Sequence, residues 1–136
     1  MTDTAAKKVV LCVDDEAIIL LAMKQELRLS LGNGVAVDTC SRAADALERI
    51  DQYHSREVQV IVVISDWLMP GMSGDEFLSR VHQRYPEIPV ILVTGQADEK
   101  EIARLRATIG LSHVLKKPWS SAALTSLVKS LSGLEN

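Results

Sequence analysis

The chain has few of the residues that cross-link a fold or stack in aromatic clusters, and it has no long apolar run. Its 136 residues include two cysteines, one phenylalanine, two tryptophans and two tyrosines. Cys12 and Cys40 each lie in an apolar stretch, which favours buried thiols of a reduced compartment over a disulfide framework or a metal site. No apolar run approaches the roughly 18 residues that a membrane span requires. We therefore expect neither a membrane protein nor a disulfide-stabilised one.

Neither sign of charge dominates. The 15 basic and 18 acidic residues give a net charge of −3, which argues against nucleic-acid binding as the main role. The composition, 47% hydrophobic and 24% charged, is typical of a soluble globular domain. Residues 1–8 are polar and lack an apolar core behind their lysines, so we expect no secretory signal and a cytoplasmic protein. The length suits one domain over residues 1–136, with a structured core over about 8–132.

Strand-like and helix-like segments alternate along the chain. Apolar, β-branched runs predict five strands: Lys8–Val13, Val35–Cys40, Val60–Ser65, Val90–Thr94 and His113–Leu115. Apolar residues spaced three to four apart follow each run and predict five helices, marked by Leu20 to Leu31, Ala43 to Ile50, Leu78 to Tyr85, Ile102 to Ile109 and Leu124 to Leu131. This alternation predicts an α/β fold with a parallel sheet covered by helices on both faces.

Local signals mark several helix boundaries. The region of Gly32 is predicted to end the first helix. Ser73 and Glu76 have the spacing of a capping box at the start of the third helix. Pro86 is expected to close that helix, and Asp98 is expected to cap the fourth.

Polar side chains follow four of the predicted strands, at the edge where function gathers in open parallel sheets. They are Asp14 with Asp15, then Asp66, Thr94 and Lys117. Clustered carboxylates repel one another unless a cation neutralises them, and hard oxygen ligands suit Mg²⁺. An aspartate at such a site is a plausible nucleophile for a phosphoryl group, which a hydroxyl and an ammonium group can then hold.

Each residue alone also has a simpler structural interpretation. The acids after the first strand can cap a helix, Asp66 can open the Pro70–Gly71 turn, and Lys117 can be a solvated lysine. Several other chemistries lack required residues: there is no P-loop motif, and the glycines around Asn33 precede a strand instead of a helix. Leu68 stands where a haloacid-dehalogenase-type phosphatase needs its second acid.

Four motifs, in order and at the ends of four of the five predicted strands, carry a resemblance that covers essentially the whole chain: Val13–Glu16, Ser65–Gly74, Val93–Gly95 and Lys117–Trp119. Together they resemble the response-regulator receiver domain of two-component signalling. The resemblance implies a flavodoxin-like, doubly wound sheet of five parallel strands in the order 2-1-3-4-5, flanked by five helices.

The resemblance also implies a Mg²⁺ site. Asp15 matches the direct ligand, Asp14 supports it, often through water, and Asp66 completes the carboxylates. The backbone carbonyl of Leu68 matches the third protein ligand.

The reacting groups are implied in the same way. Asp66 matches the phosphoacceptor, Thr94 the switch hydroxyl and Lys117 the phosphate-binding lysine, with a cis bond to Pro118. Lys116 competes for the last role, but strand alternation points it to the other face of the sheet.

One position departs from the usual receiver pattern, and two others bear on hydrolysis. Val114 stands where many receivers carry the aromatic residue that follows the switch hydroxyl. Either His113 or the fourth-helix region then takes a share of the response, or the coupling runs mainly through backbone shifts near Thr94. Leu68 and Gln96 flank the path of a hydrolysing water. Leu68 cannot hydrogen-bond that water, whereas Gln96 can.

The implied function is a phosphoaccepting switch that acts only on itself and is not a turnover enzyme. The implied donor is a histidine kinase or a histidine phosphotransfer protein. The implied recipient of the signal is an effector protein or an attached output domain, and a homodimer through the fourth or fifth helix is an open possibility. Two other functions remain open at this stage: an unphosphorylated adaptor or dimerisation scaffold of the same fold, and a Mg²⁺-dependent phosphatase. We expect no direct contact with nucleic acid or membrane.

Overall fold

Strands and helices alternate in the order that the hydrophobic pattern predicts. The structure, a computed structural model, describes residues 7–95, 99–109, 111 and 113–133. The strands are β1 (Lys8–Val13), β2 (Ala36–Cys40), β3 (Gln59–Asp66), β4 (Val90–Thr94) and β5 (His113–Lys116). The helices are α1 (Ala17–Leu31), α2 (Ala43–Ser55), α3 (Gly74–Arg84), α4 (Glu99–Ile109) and α5 (Ser121–Ser132).

All four strand pairs are parallel, and the sheet order is β2-β1-β3-β4-β5. This confirms the predicted α/β class and the implied strand order. In β3, every residue from Val60 to Asp66 is buried, as a central parallel strand covered on both faces requires.

The sheet separates two apolar layers. Val10 and Cys12 pack with α1 and α5 on one face, while Leu11 packs with α2, α3 and α4 on the other. Successive side chains of a strand point to opposite faces, which places the two layers back to back. Cys12 and Cys40 are buried and free, as predicted, and belong to opposite layers.

The capping box predicted at the start of α3 is wrong. Ser73 is the N-cap residue but forms no side-chain capping bond. Glu76 instead accepts a hydrogen bond from Arg80 one turn later, at 2.6 Å. The backbone N–H of Gly74 donates to the carbonyl of Trp67 at 2.7 Å, so the start of α3 is held by the preceding loop.

Other boundaries shift by single residues. β2 begins at Ala36 instead of Val35, and β3 extends to include Asp66. α1 ends before Gly32, which adopts a left-handed φ of 78°, as the glycine there predicts. The predicted cap at Asp98, and Gln96, lie outside the described residues. Within the described ranges, no helix combines the length and the apolar character needed to cross a bilayer.

Candidate functional site

The carboxyl ends of β1, β3, β4 and β5 bring the predicted polar residues to one edge of the sheet. Asp66 and Thr94 are the last residues of their strands, and Asp14 directly follows β1. All three are buried, with exposed fractions of 6%, 3% and 0%. Asp15 is exposed. Burial of polar groups beside the core is costly unless they have hydrogen-bond or charged partners. We therefore expect Asp14, Asp66 and Thr94 to have such partners.

Three carboxylates form a cluster at this edge. One oxygen from each of Asp14, Asp15 and Asp66 lies within 4.8 Å of the other two. The turn after β1 orients the first of them: the Asp14 backbone N–H donates to the carbonyl of Cys40 at 3.2 Å, and its Oδ1 accepts the N–H of Glu16 at 2.9 Å.

Lys117 reaches into the cluster. Its Nζ lies 3.1 Å from Oδ1 of Asp66 and 3.3 Å from Oδ2 of Asp14. The backbone N–H of Lys117 donates to the carbonyl of Thr94 at 2.9 Å, which ties the end of β5 to the end of β4. The bond to Pro118 is cis, as the resemblance implies.

Lys116 faces away from this cluster. It stands beside Thr94 in the strand register and lines a groove against α4. The side chains of a strand alternate between the two faces, so the two adjacent lysines occupy different surfaces. Of the two lysines, Lys117 is the one whose Nζ lies among the acids.

The two charged partners have shifted pKa values. Burial raises the pKa of Asp14, and the charge of Asp66 adds to this, while the Glu16 N–H and Lys117 only partly oppose it. For Lys117, burial lowers the pKa, but the hydrogen bond to Asp66 and the charges of both acids outweigh it, so the net shift is upward. Lys117 thus holds its proton firmly, and burial makes the negative charge of Asp14 costly to maintain.

The charge balance of the pocket suits a divalent cation. Three carboxylates and one ammonium leave a formal charge of −2 when all are ionised. All the side-chain donors in the cluster are hard oxygens, which are the ligands that Mg²⁺ prefers. Among the described residues, the donor set therefore fits Mg²⁺. The side chain of Leu68 is 66% exposed and does not fill the pocket.

Gly74 has a role that the sequence reasoning missed. A Cβ atom at this position would stand 1.9 Å from the backbone carbonyl oxygen of Asp66. Only glycine lets the start of α3 approach the end of β3 so closely. The signal in the sequence is a glycine at the first position of a helix, where it has no propensity advantage.

A second missed contact holds the segment after Lys117. The indole Nε1 of Trp119 donates to Oε1 of Glu26 in α1 at 2.8 Å. Trp119 also packs against the α1–α5 layer. This contact joins residues 93 positions apart, and no local pattern reveals it.

Val114 is half-buried and packs on the α4 side of the sheet. It lies beside Leu92 in the register, two residues before the level of Thr94. A valine has a single short χ1 rotor, so it cannot make the large swing of an aromatic ring. Position 114 therefore cannot supply the ring movement that the usual receiver pattern implies.

Comparison with known proteins agrees with this geometry. The model of the response regulator receiver domain family matches residues 10–129. The chain is 34% identical over 128 residues to the phosphate regulon transcriptional regulatory protein PhoB of Rhizobium meliloti, covering 91% of this chain and 51% of that protein. It is 34% identical over 120 residues to the response regulator protein FleR of Pseudomonas aeruginosa, covering 88% of this chain and 23% of FleR.

Solved structures show the same architecture. The signal receiver domain of an HD domain-containing protein from Pseudomonas fluorescens superposes with a TM-score of 0.81 at 27% identity, covering 98% of this chain and 93% of that one. The chemotaxis protein CheY4 of Vibrio cholerae superposes with a TM-score of 0.78 at 25% identity, covering 93% and 99%. The chain spans about half or less of the length of PhoB and FleR. It belongs to the receiver domain family of two-component response regulators.

Proposed function

We propose that this receiver domain takes a phosphoryl group onto Asp66 from a phosphohistidine of a histidine kinase or a histidine phosphotransfer protein. The observation that supports this most strongly is the position of Lys117, whose Nζ lies 3.1 Å from Oδ1 of Asp66 inside a cluster of three carboxylates. An ammonium group fixed beside a buried carboxylate can hold the anionic phosphoryl group that this carboxylate attacks, whereas a purely structural scaffold has no need to gather buried acids.

In the proposed step, a carboxylate oxygen of Asp66 attacks the phosphorus of the donor. The new O–P bond forms as the N–P bond breaks, and the leaving imidazole nitrogen keeps that electron pair and takes up a proton. Lys117 turns from the carboxylates to a phosphoryl oxygen and neutralises part of its charge. The hydroxyl of Thr94 donates a hydrogen bond to another phosphoryl oxygen.

Asp14, Asp15, Asp66 and the backbone carbonyl of Leu68 are the groups that would hold Mg²⁺, which when bound neutralises charge on the acids and on the phosphoryl oxygens. The chain has no second substrate in this proposal. It assists its own phosphorylation and dephosphorylation and is not a turnover enzyme.

We propose that the switch runs through the backbone of β4 and β5. Lys117 is bonded to the Thr94 carbonyl at 2.9 Å, so a shift of either residue moves the other strand end as well. Val114 cannot supply a ring movement, and we favour the bonded strand ends over His113 or α4 itself as the link to the α4 and α5 faces. Phosphorylation then biases an existing equilibrium between two arrangements of that surface. The surface would bind an effector protein, an attached output domain or a second copy.

The test is the mass of the intact chain after incubation with Mg²⁺ and acetyl phosphate. We expect one added phosphoryl group on the wild type, none on Asp66→Asn, and one on the control Asp45→Asn, which changes an exposed aspartate of α2. A chain that gains no adduct with this donor or with a phosphorylated histidine kinase is instead an adaptor or dimerisation scaffold. Steady release of phosphate from unrelated phosphomonoesters would identify a phosphatase.

A further inference from the structure

The outer edge of the sheet carries a groove that the proposed phosphotransfer does not use. β2 is the end strand and pairs with β1 alone among the described strands. A groove of about 490 Å³ lies between its first half and the C-terminal half of α1. Leu29, at this end of α1, is 89% exposed, the highest fraction among the exposed large hydrophobic side chains of the described residues.

The far half of this edge is closed by its own side chains. The Cys40 carbonyl accepts the Asp14 N–H and therefore points toward β1. Because peptide groups alternate in direction along a strand, those of Thr39 point outward, and both are occupied. The Thr39 N–H donates to Asp38 at 2.9 Å and its carbonyl accepts from Arg49 at 2.9 Å.

The near half of the edge pairs with no described strand. By the same alternation, the peptide groups of Val37 point outward, and Val35 and Val37, each 7% exposed, line the groove. No described strand lies beside them. An open stretch of strand edge is a template for an added strand, and native proteins usually block it as this one does at Thr39.

The groove is lined by positive charge, which favours an acidic strand over a basic one. Lys24 and Arg28 line it, and none of the described lining residues is acidic. Neither cation forms an ion pair with any residue that the structure describes. Lys8 is exposed at the same end of the sheet, since it precedes Val9, the register partner of Ala36.

We propose that this groove binds an extended, acidic segment of a partner protein, which pairs with β2 at Val37 and places an apolar side chain against Leu29. Its carboxylates meet Lys24 and Arg28. Leu29 lies thirteen residues along α1 from Glu16, about 20 Å at the helical rise, so this contact is separate from Asp66. The surface would serve as a tether that holds a partner in both phosphorylation states.

The test is NMR titration of the ¹⁵N-labelled chain with a blocked peptide of alternating glutamate and valine, up to millimolar concentration. We expect amide shifts at residues 24–31 and 35–37, unchanged by prior treatment with acetyl phosphate and Mg²⁺. A peptide with lysine in place of glutamate should not bind. N-methylation of the central residues of the peptide should abolish binding, because it removes the N–H groups that pair with the edge.

The matched variants are Lys24→Glu with Arg28→Glu, against the control Arg56→Glu, an exposed arginine after α2. The double variant should bind the glutamate peptide at least about fivefold more weakly than the wild type does. The control variant should bind it as the wild type does. If the double variant is unfolded by circular dichroism, the glutamine pair Lys24→Gln and Arg28→Gln replaces it.

Absence of shifts, shifts centred on Asp14 and Asp66, or equal binding of the lysine peptide would each overturn the proposal. So would a DNA duplex that shifts these amides when the glutamate peptide does not. The same shifts on concentrating the chain alone would assign the groove to a second copy and would also overturn it.

Discussion

At the scale of single residues, Lys117 is the cation that contacts two acids of the pocket. It contacts Asp66 and Asp14 at 3.1 and 3.3 Å and holds its proton because its pKa is raised. The acids, the hydroxyl and this lysine could all be predicted from the sequence, because each stands at a strand end. The contacts of Gly74 and Glu26 could not, because they depend on backbone approach and on packing between distant segments.

Removing the charge of Lys117 should slow phosphorylation without unfolding the chain. For Lys117→Gln we expect the initial rate with acetyl phosphate and Mg²⁺ to fall at least about tenfold, since one preorganised charge is lost from the transferring group. The matched control is Lys116→Gln, the neighbour on the other face, which should keep the wild-type rate. Equal slowing in both variants would contradict the assignment.

We expect the side chain at position 68 to affect the lifetime of the proposed phosphorylated form. The apolar side chain of Leu68, 66% exposed after β3, cannot orient a water, so an amide there should help hydrolysis. We predict that Leu68→Asn shortens the lifetime of the phosphorylated form severalfold, and that Leu68→Ala does so much less. The decay of the intact phosphorylated mass after removal of the donor measures both. A lifetime in Leu68→Asn that equals or exceeds the wild type would count against the prediction.

At the scale of elements, the start of α3 shows where sequence patterns stop being sufficient. Hydrophobic spacing predicts the helix, yet the expected capping box is absent because Glu76 pairs with Arg80 and the Trp67 carbonyl holds the Gly74 N–H. The sheet order followed from the resemblance, since periodicity identifies strands but does not order them. Close packing of α3 on β3 therefore depends on Gly74.

A side chain at position 74 should separate these two elements. For Gly74→Ala we expect the free energy of unfolding to fall by roughly 2–4 kcal/mol, because a Cβ there meets the backbone of Asp66 and the loop must shift. Gly34→Ala is the matched control, since a Cβ at that glycine meets nothing within 4 Å. Urea unfolding measures both, and equal stability of the two variants would contradict this account.

At the scale of the whole molecule, the sheet divides the protein into two apolar layers and buries one thiol deeply. Burial raises the pKa of Cys12 to about 12, and the nearby charge of Asp38 adds to this. The sequence predicted a buried thiol from its apolar neighbours. It did not predict which layer the thiol occupies, because that depends on the strand register.

This raised pKa predicts a loss of stability in alkali. Well below pH 9 the thiol is protonated in both the folded and the unfolded state. Between about pH 9 and 12 the unfolded chain releases the proton and the folded chain keeps it, so the free energy of unfolding falls by about 1.4 kcal/mol per pH unit from this group. In Cys12→Val that contribution disappears. Between pH 9 and 12, the free energy of unfolding of this variant should therefore fall less steeply with pH than that of the wild type, by about 1.4 kcal/mol per pH unit. Parallel profiles for the two proteins would disprove the prediction.

The central claim is that Asp66 carries the phosphoryl group. The most direct measurement is reductive trapping: an acyl phosphate of aspartate is reduced by borohydride to homoserine, and peptide mapping then locates the changed residue. After treatment with acetyl phosphate and Mg²⁺, this account predicts homoserine at position 66 and unchanged aspartate at positions 14 and 15. Homoserine at position 14 or 15, or no homoserine in a chain that has gained a phosphoryl group, would contradict it.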